Sequence, residues 1–427
     1  MRASELLKAL YEGQFDERLR TVYGARPLGA LYGRVTSVVE GFCSRFDPSG
    51  ERELAVFSAP GRTELGGNHT DHQGGCAVCA AIDRDTLACA AKSEGDAIRV
   101  LSRGHSIAAI SLRELAVNEA ERSRSVALLR GVAARVAELT GAVGGFDAYT
   151  ETEVLRGSGM SSSAAFEVLL GTVFNDFYCG GALTPVQLAQ IGQYAENVYY
   201  GKPCGLLDQL GCALGGVIGA DLADADAPRL RTGTVDLAAS GCALVIIDSG
   251  ANHSDLDDAF AAIPREMGEI ARALGGTRLC EVDEAAFVAR RDALAAQYGE
   301  RAALRAEHYF AETKRARDEF DALLRGDFAR ALALIRESGA SSREKLQNVS
   351  VDRPGGDVLL RAIERAEALA GEGGAARVHG GGFAGTAQAF VPREKLEAFI
   401  AGMEELLFSG CCHVVQLRAA GSLRLLP

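Results

Sequence analysis

Apolar positions recur at helical spacing from the start of the chain. Leu6, Leu7, Leu10 and Tyr11 sit among charged residues, so residues 1 to about 45 read as helices. Residues 53–58 (Glu-Leu-Ala-Val-Phe-Ser) read as a strand entering a turn at Ala59-Pro60-Gly61, and residues 75–92 and 97–102 as further strands. Val126, Leu129, Val132, Ala133 and Val136 share one face of a helix over 125–140. A strand over 146–154 follows, then a Gly/Ser loop at 157–163, an apolar helix at 164–178 and another helix at 185–200. The Gly-rich apolar stretch 204–219 reads as a short helix followed by a strand. A second block opens near residue 240 with the strand run Ala243 to Asp248. It continues with Ala/Arg/Glu-rich helices over 284–348 and closes with Gly380 to Gly385 and a strand over 386–391. There is no repeat of fixed period and no low-complexity linker. The polar, turn-rich stretch from Asp221 to Asp236 places a boundary near 235–240 and divides the chain into domains 1–238 and 239–427.

Composition agrees with that division. The 427 residues exceed one ordinary core and suit two domains of roughly 200 residues each. Apolar residues make up 48% and charged residues 24%, a globular balance. A formal charge of -12 repels nucleic acid and anionic membranes, so neither is an expected partner. It does not exclude a small anion, because a Gly-rich loop binds phosphate locally even in an acidic protein. The amphipathic N-terminus lacks the apolar core of a signal peptide, and no run approaches a membrane span. A reducing cytoplasm is the expected location. Cys76 and Cys79 form a C-x-x-C pair inside the apolar run 76–82, which reads as buried strand with cysteine as a small apolar residue.

Three segments carry candidate chemistry. Arg156-Gly157-Ser158-Gly159-Met160-Ser161-Ser162-Ser163-Ala164-Ala165 lies between a predicted strand and a predicted helix. Glycines let backbone approach an anion, a helix start presents free N–H groups, and serine hydroxyls bond phosphate oxygens or a metal. No Gly-Lys-Ser/Thr closes it, so it is not a Walker A loop; an ordinary Gly/Ser turn with a serine cap is the plain alternative. Ala59 to His72 packs Arg62, Glu64, Asn68, His69, Asp71 and His72 around three glycines. Such a set suits a polyhydroxylated ligand, against the alternatives of a solvated loop or a metal site with no third ligand pattern. Pro203-Cys204-Gly205-Leu206-Leu207-Asp208-Gln209 places one carboxylate in an apolar, Gly-rich setting. A desolvated Asp208 needs a partner or a raised pKa, and Arg62 is the natural partner; a simple helix-capping Asp is the alternative.

In this order and spacing the segments resemble the GHMP kinases, in their galactokinase form. The serine loop is similar to the family's Pro-x-x-x-Gly-Leu-Gly-Ser-Ser-Ala-Ala, with Leu155 for Pro and Met160 for Leu. The 59–72 segment resembles Gly-Arg-x-Asn-x-Ile-Gly-Glu-His-x-Asp-Tyr. Arg62, Gly67, His69 and Asp71 match; Glu64 stands for Asn, Gly66 for Ile, Asn68 for Glu and His72 for Tyr. The 203–209 segment resembles Cys-Gly-Ile-Met-Asp-Gln, and Gly380 to Gly385 the third motif, Gly-Gly-Gly-Phe-Gly-Gly, with one alanine at Ala384. The family's Ser-His pair appears as Ser338-Gly339, and Phe260 aligns with the tyrosine that reaches the sugar.

The resemblance implies an α+β fold of two domains. These are an N-terminal ribosomal-S5-like domain and a C-terminal α/β domain with antiparallel sheet, with the site between them. It implies ATP and Mg²⁺ as cofactors and transfer of the γ-phosphate to a sugar hydroxyl, the anomeric one. Asp208 and Arg62 then take the catalytic positions, and Asn68, His69, Asp71, Gly205 and Phe260 face the sugar. Gly157, Ser158, Gly159, Met160, Ser161, Ser162 and Ser163 cradle the nucleotide, and Ser163 and Glu196 hold the metal. Galactose is the expected sugar, with galacturonate, arabinose or N-acetylgalactosamine as the related-sugar alternative motivated by Asn68 and Phe260. A non-catalytic sensor of galactose and ATP is the rival from another class, and retention of Arg62, Ser163, Glu196 and Asp208 speaks against it. A monomer or weak dimer is expected.

Overall fold

The computed structural model describes residues 1–106, 109–154, 159–224, 227–251 and 256–427. Three helices open the chain: α1 (Ala3–Tyr11), α2 (Asp16–Tyr23) and α3 (Leu28–Phe46). Strands β1 (Ala55–Gly66) and β2 (Cys76–Lys92) then pair antiparallel over their length. β1 does not stop at Ala59-Pro60-Gly61 as the turn residues suggest. It runs on through an irregularity in register between Pro60 and Arg62, which accommodates a residue that has no amide to donate. β3 (Ala97–Ser102), β4 (His105–Ser106) and β5 (Ile110–Ser111) follow, then α4 (Ser125–Thr140) and β6 (Phe146–Thr152). α5 (Ser162–Phe177) leads to α6 (Pro185–Tyr194), which starts where a capping box of Thr184 and Gln187 and a proline at the first turn dictate. α6 continues as a π-helical turn, Ala195–Tyr200. α7 (Leu207–Leu214), β7 (Val217–Asp221) and β8 (Arg229–Gly233) close this half. The polar stretch 221–236 is thus partly strand, because β8 pairs with β7.

Alternation explains why the apolar run 75–92 is almost wholly buried. Val56, Leu87, Cys89 and Ala91 point to one face, where α1–α3 supply Leu6, Leu10, Leu19 and Val35. Phe57, Ala88 and Ala90 point to the other, where α4–α7 supply Leu129, Val132, Val168 and Leu210. β2 serves two neighbours in turn, pairing with β6 through residues 86–92 and with β7 through residues 76–80.

The second sheet begins with β9 (Cys242–Asp248). Helices α8 (Asp257–Ala273), α9 (Glu284–Tyr298), α10 (Glu300–Leu324) and α11 (Phe328–Ser341) follow, the last continued by a π-helical turn, Ser342–Leu346. Then come α12 (Val358–Ala370), β10 (Ala375–His379), β11 (Thr386–Pro392), α13 (Leu396–Leu406), β12 (Cys412–Val415) and β13 (Leu423–Leu426). The sheet order is β10-β11-β9-β12, all antiparallel. Val245 and Ile247 face α12 and α13, while Leu244 and Ile246 join the main core.

Residues 239–427 do not form a self-contained half. β13 returns to the first sheet and pairs with β1, and α10 packs against β1, β2 and β7. The physical reason is that β1 would otherwise be an open edge. No described helix is long and apolar enough to cross a membrane. Cys76 and Cys79 are buried in β2, and none of the eleven cysteines is in a disulfide.

Candidate active site

β1 delivers Arg62, α7 delivers Asp208 in its first turn, and the residues before α5 deliver Ser161. Arg62 Nε donates to Asp208 Oδ1 at 2.8 Å and Nη2 to the same oxygen at 2.5 Å. Its Nη1 donates to the Gly159 carbonyl, which ties the strand to the serine loop. Ser161 Oγ donates to Asp208 Oδ2 at 2.5 Å. The Arg62 side chain is 7% exposed, whereas that of Asp208 is 39% exposed, so the carboxylate opens to a ligand and the guanidinium does not. Burial pushes the Asp208 pKa up. The Arg62 charge and the hydrogen bonds from Ser161 and Arg62 outweigh it, and the carboxyl ends below the usual range.

The described part of the serine loop starts at Gly159; Gly157 and Ser158 lie outside the described residues. Gly159 has φ +68° and a side chain there would meet Thr386 Oγ1 at 2.6 Å and His379 Nδ1 at 2.7 Å, so only glycine fits. Ser161, at φ 61°, turns the chain into α5. The first N–H groups of that helix have no partner within it and are disposed to receive an anion. Met160 is buried and its side chain packs in the core; only its backbone faces the loop, accepting from the Arg62 N–H at 3.2 Å.

Ser163 Oγ donates to Glu196 Oε1 at 3.4 Å. Glu196 lies in the π-helical turn rather than in α6 proper, a departure from regular helix of the kind often found at functional sites. Burial raises its pKa, with Lys202 Nζ 3.8 Å away working against the rise. Behind it stands Glu167, fully buried on α5, and Gln209 Nε2 donates to both carboxylates at 3.1 Å. Sequence reasoning passed over Glu167. The available signal was a lone carboxylate one helical turn after Ser163 in an otherwise apolar run, Ala164-Ala165-Phe166-Glu167-Val168.

The 67–73 turn brings Asp71 against the segment before α7. A side chain at Gly205 would stand 2.0 Å from Asp71 Oδ2, so glycine is required for this approach. Asn197 Oδ1 accepts from the Cys204 N–H at 2.7 Å and Gln193 Nε2 donates to the Cys204 carbonyl at 3.2 Å, which hold that segment in place. Asp71 Oδ1 accepts from the His72 N–H at 2.8 Å, and burial raises the carboxyl above its usual range. His69 Nε2 donates to the Gly381 carbonyl at 2.9 Å, and burial pulls its pKa down to about 4. Both ring nitrogens of His72 are shielded and have no hydrogen-bond partner among the described residues, and burial pulls this imidazole down to about 3.

Two expected sugar contacts are differently employed. Asn68 is fully buried and its amide is spent on protein partners, Glu64, Gly380, Ser342 and Asn348. Phe260 packs edge-on to Phe383 at 5.3 Å and lies against Gly381. A second polar set, in which Arg377, Glu312 and His308 are not anticipated from the sequence, surrounds Asn68. Arg377 Nη2 donates to Glu64 Oε1 at 2.8 Å, Glu312 Oε1 accepts from the Gly67 N–H at 3.0 Å and from Ser338 Oγ at 2.5 Å, and His308 Nε2 donates to the Asn68 carbonyl at 2.8 Å. Ser338 thus serves Glu312. Arg377, Glu312, Ser338 and His308 lie hundreds of positions away, so no local pattern could announce them.

Family models match two parts of this architecture. "GHMP kinases N terminal domain" covers residues 127–216 and "Galactokinase galactose-binding signature" covers residues 40–92. Among solved structures, the galactokinase of Lactococcus lactis complexed with galactose is similar at a TM-score of 0.78 and 24% identity, covering 90% of this chain and 98% of its own. The mevalonate kinase of L. major in complex with R-mevalonate has a TM-score of 0.59 at 15% identity, covering 87% of this chain and 98% of its own. That of Methanococcus jannaschii has 0.60 at 14%, with 87% and 99% covered. The fold is that of the GHMP kinase class, and the model of that class's N-terminal domain matches residues 127–216. The chain also carries the galactokinase galactose-binding signature and is a sugar kinase.

Proposed function

We propose that this chain transfers the γ-phosphate of ATP to the anomeric hydroxyl of galactose, giving galactose 1-phosphate and ADP. The observation that carries the reading is the Asp208 carboxylate, partly exposed and held on two sides by Arg62 and Ser161 at the start of α5. Phosphoryl transfer depends on positioning and charge stabilisation rather than on covalent chemistry. Asp208, kept ionised by Arg62, accepts or orients the sugar hydroxyl proton. Arg62 also offsets charge on the transferring group. The 157–163 loop and the first turn of α5 cradle the phosphates. His69, Asp71 and Gly205 border the sugar, with Phe260 on the glycine segment beyond them.

Ser163 and Glu196 are hard oxygen donors, 3.4 Å apart, and such a pair suits Mg²⁺, which takes few protein ligands and completes its shell with phosphate and water. Burial raises the pKa of Glu196, and a cation there would offset that cost. Held by Ser163 and Glu196, such an ion would neutralise charge developing on the phosphates.

A coupled assay of ADP release with galactose, galacturonate, arabinose and N-acetylgalactosamine tests the reading. The highest kcat/KM is expected for galactose. Tight sugar binding with no ADP released from any of them would replace the kinase with a sensor.

A further inference from the structure

The amide of Asn68 uses its full hydrogen-bonding capacity within the protein. Nδ2 donates to the Gly380 carbonyl at 2.7 Å and to Glu64 Oε1 at 3.0 Å. Oδ1 accepts from Asn348 Nδ2 at 2.8 Å and from Ser342 Oγ at 3.3 Å. Asn348, also fully buried, reaches the same glycine segment twice. Its Nδ2 donates to the Gly381 carbonyl at 3.1 Å, and its carbonyl accepts from the Phe383 N–H at 2.5 Å. The two asparagines therefore fasten the 67–73 turn to residues 380–383.

The other end of that segment touches the serine loop. His379 and Thr386, which flank it, hydrogen-bond each other at 3.0 Å and close on Gly159. Close packing at Gly159, the chain of the glycine segment and the hydrogen bonds of the two asparagines thus connect the serine loop to the turn that presents His69 and Asp71. A glutamate at position 68 could not make this joint. It has no donor for the Gly380 carbonyl, and it would set a second carboxylate against Glu64.

We propose that Asn68 is a positioning residue rather than a sugar ligand. It locks the 67–73 turn to the glycine segment, so that nucleotide at the serine loop and sugar at His69 and Asp71 strengthen each other's binding. The inference rests on the kinase reading for the identity of the two ligands. Linkage makes such coupling reciprocal, and coupling of this kind is typically about 5- to 150-fold.

Hydrogen–deuterium exchange of the whole chain, with Mg²⁺ and the non-hydrolysable analogue AMP-PNP and without sugar, reads the joint directly. In the native protein the nucleotide should slow exchange in both 159–165 and 66–73. In Asn68→Asp, and independently in Asn348→Ala, protection should persist in 159–165 and vanish in 66–73. Calorimetric titration with galactose, with and without AMP-PNP, should give a native enhancement of at least about fivefold that falls towards one in both variants. Unchanged protection of 66–73 in both variants, or none in the native protein, overturns the proposal. So does a variant that loses galactose affinity but keeps the full nucleotide enhancement, because Asn68 would then be a sugar ligand. A native protein that binds nucleotide but no galactose would refute the choice of sugar, and the exchange result would still decide the joint.

Discussion

Arg62 and Asp208 are 146 positions apart in sequence and meet through two hydrogen bonds to a single carboxylate oxygen, Oδ1. Among the described residues, that leaves Oδ2 with only the Ser161 hydroxyl, on the side of the serine loop. A charge-assisted contact of this geometry fixes both the ionisation and the direction of the carboxylate.

Replacing the acceptor should therefore abolish chemistry while sparing binding. Asp208→Asn is expected to lower kcat by about 10²- to 10⁴-fold, with AMP-PNP affinity by calorimetry close to that of the native protein. Native turnover in this variant would remove Asp208 from the mechanism.

Removing the guanidinium should show in the pH profile. Asp208 lies below the usual carboxylate range chiefly because Arg62 opposes the effect of burial. In Arg62→Leu that opposition is gone, the Asp208 pKa rises, and the acid limb of kcat should move to higher pH along with a fall in the plateau. A profile of unchanged shape would mean that another group holds Asp208 ionised.

Glu319 makes a contrasting prediction about stability. Its two carboxyl oxygens are buried beside Gly66 with no hydrogen-bond partner among the described residues, and burial pushes its pKa up to about 8. The folded protein therefore holds a proton that the unfolded chain releases near pH 4.5. Stability from this group is full below that value, declines as pH rises, and is lost by about pH 8. Glu319→Gln should remove the decline, raising the melting temperature at pH 8 more than at pH 5. The gain at pH 8 is on the order of a few kcal/mol, since each pKa unit corresponds to about 1.4 kcal/mol. Equal effects at both pH values would place the proton on Glu64 or Glu312.

The histidines of the 67–73 turn act in the opposite sense. His72 is held near 3 and His69 near 4, both below the ordinary 6.5. Between those limits the unfolded chain binds more protons, so the stability they contribute is present above pH 6.5 and is lost as pH falls. His72→Phe, which also removes two unpaired ring nitrogens, should raise the urea midpoint, and more at pH 5 than at pH 7.5. A lower midpoint at both would show that the imidazole has a partner in solution.

Gly205→Ala tests the approach of Asp71. The added methyl would meet the carboxylate, so the turn must shift. Sugar KM should rise by at least about tenfold while the ATP KM stays near native, which is the signature of lost ground-state binding.

Much of this was legible in the chain itself. Arg62, Ser161, Ser163 and Asp208 stand in local stretches whose glycines, serines and single carboxylates suggest phosphate and proton chemistry, whereas Glu196 is picked out only by the resemblance to the GHMP kinases. The helix over 125–140 and the strand over 97–102 follow from apolar periodicity, because side-chain direction repeats with the backbone's own period. Other features depend on pairing at a distance. β1 crosses its proline because β2 and the core enforce the strand, and β13 leaves the second half to cover the β1 edge. The occupation of Asn68 by Asn348, Ser342 and Gly380, and the burial of Glu167 behind Glu196, arise only when separate elements close on one another. Local pattern determines which residues can do chemistry. Tertiary packing decides which of their hydrogen bonds are already spent, because a buried polar group must find its partner wherever the fold places one.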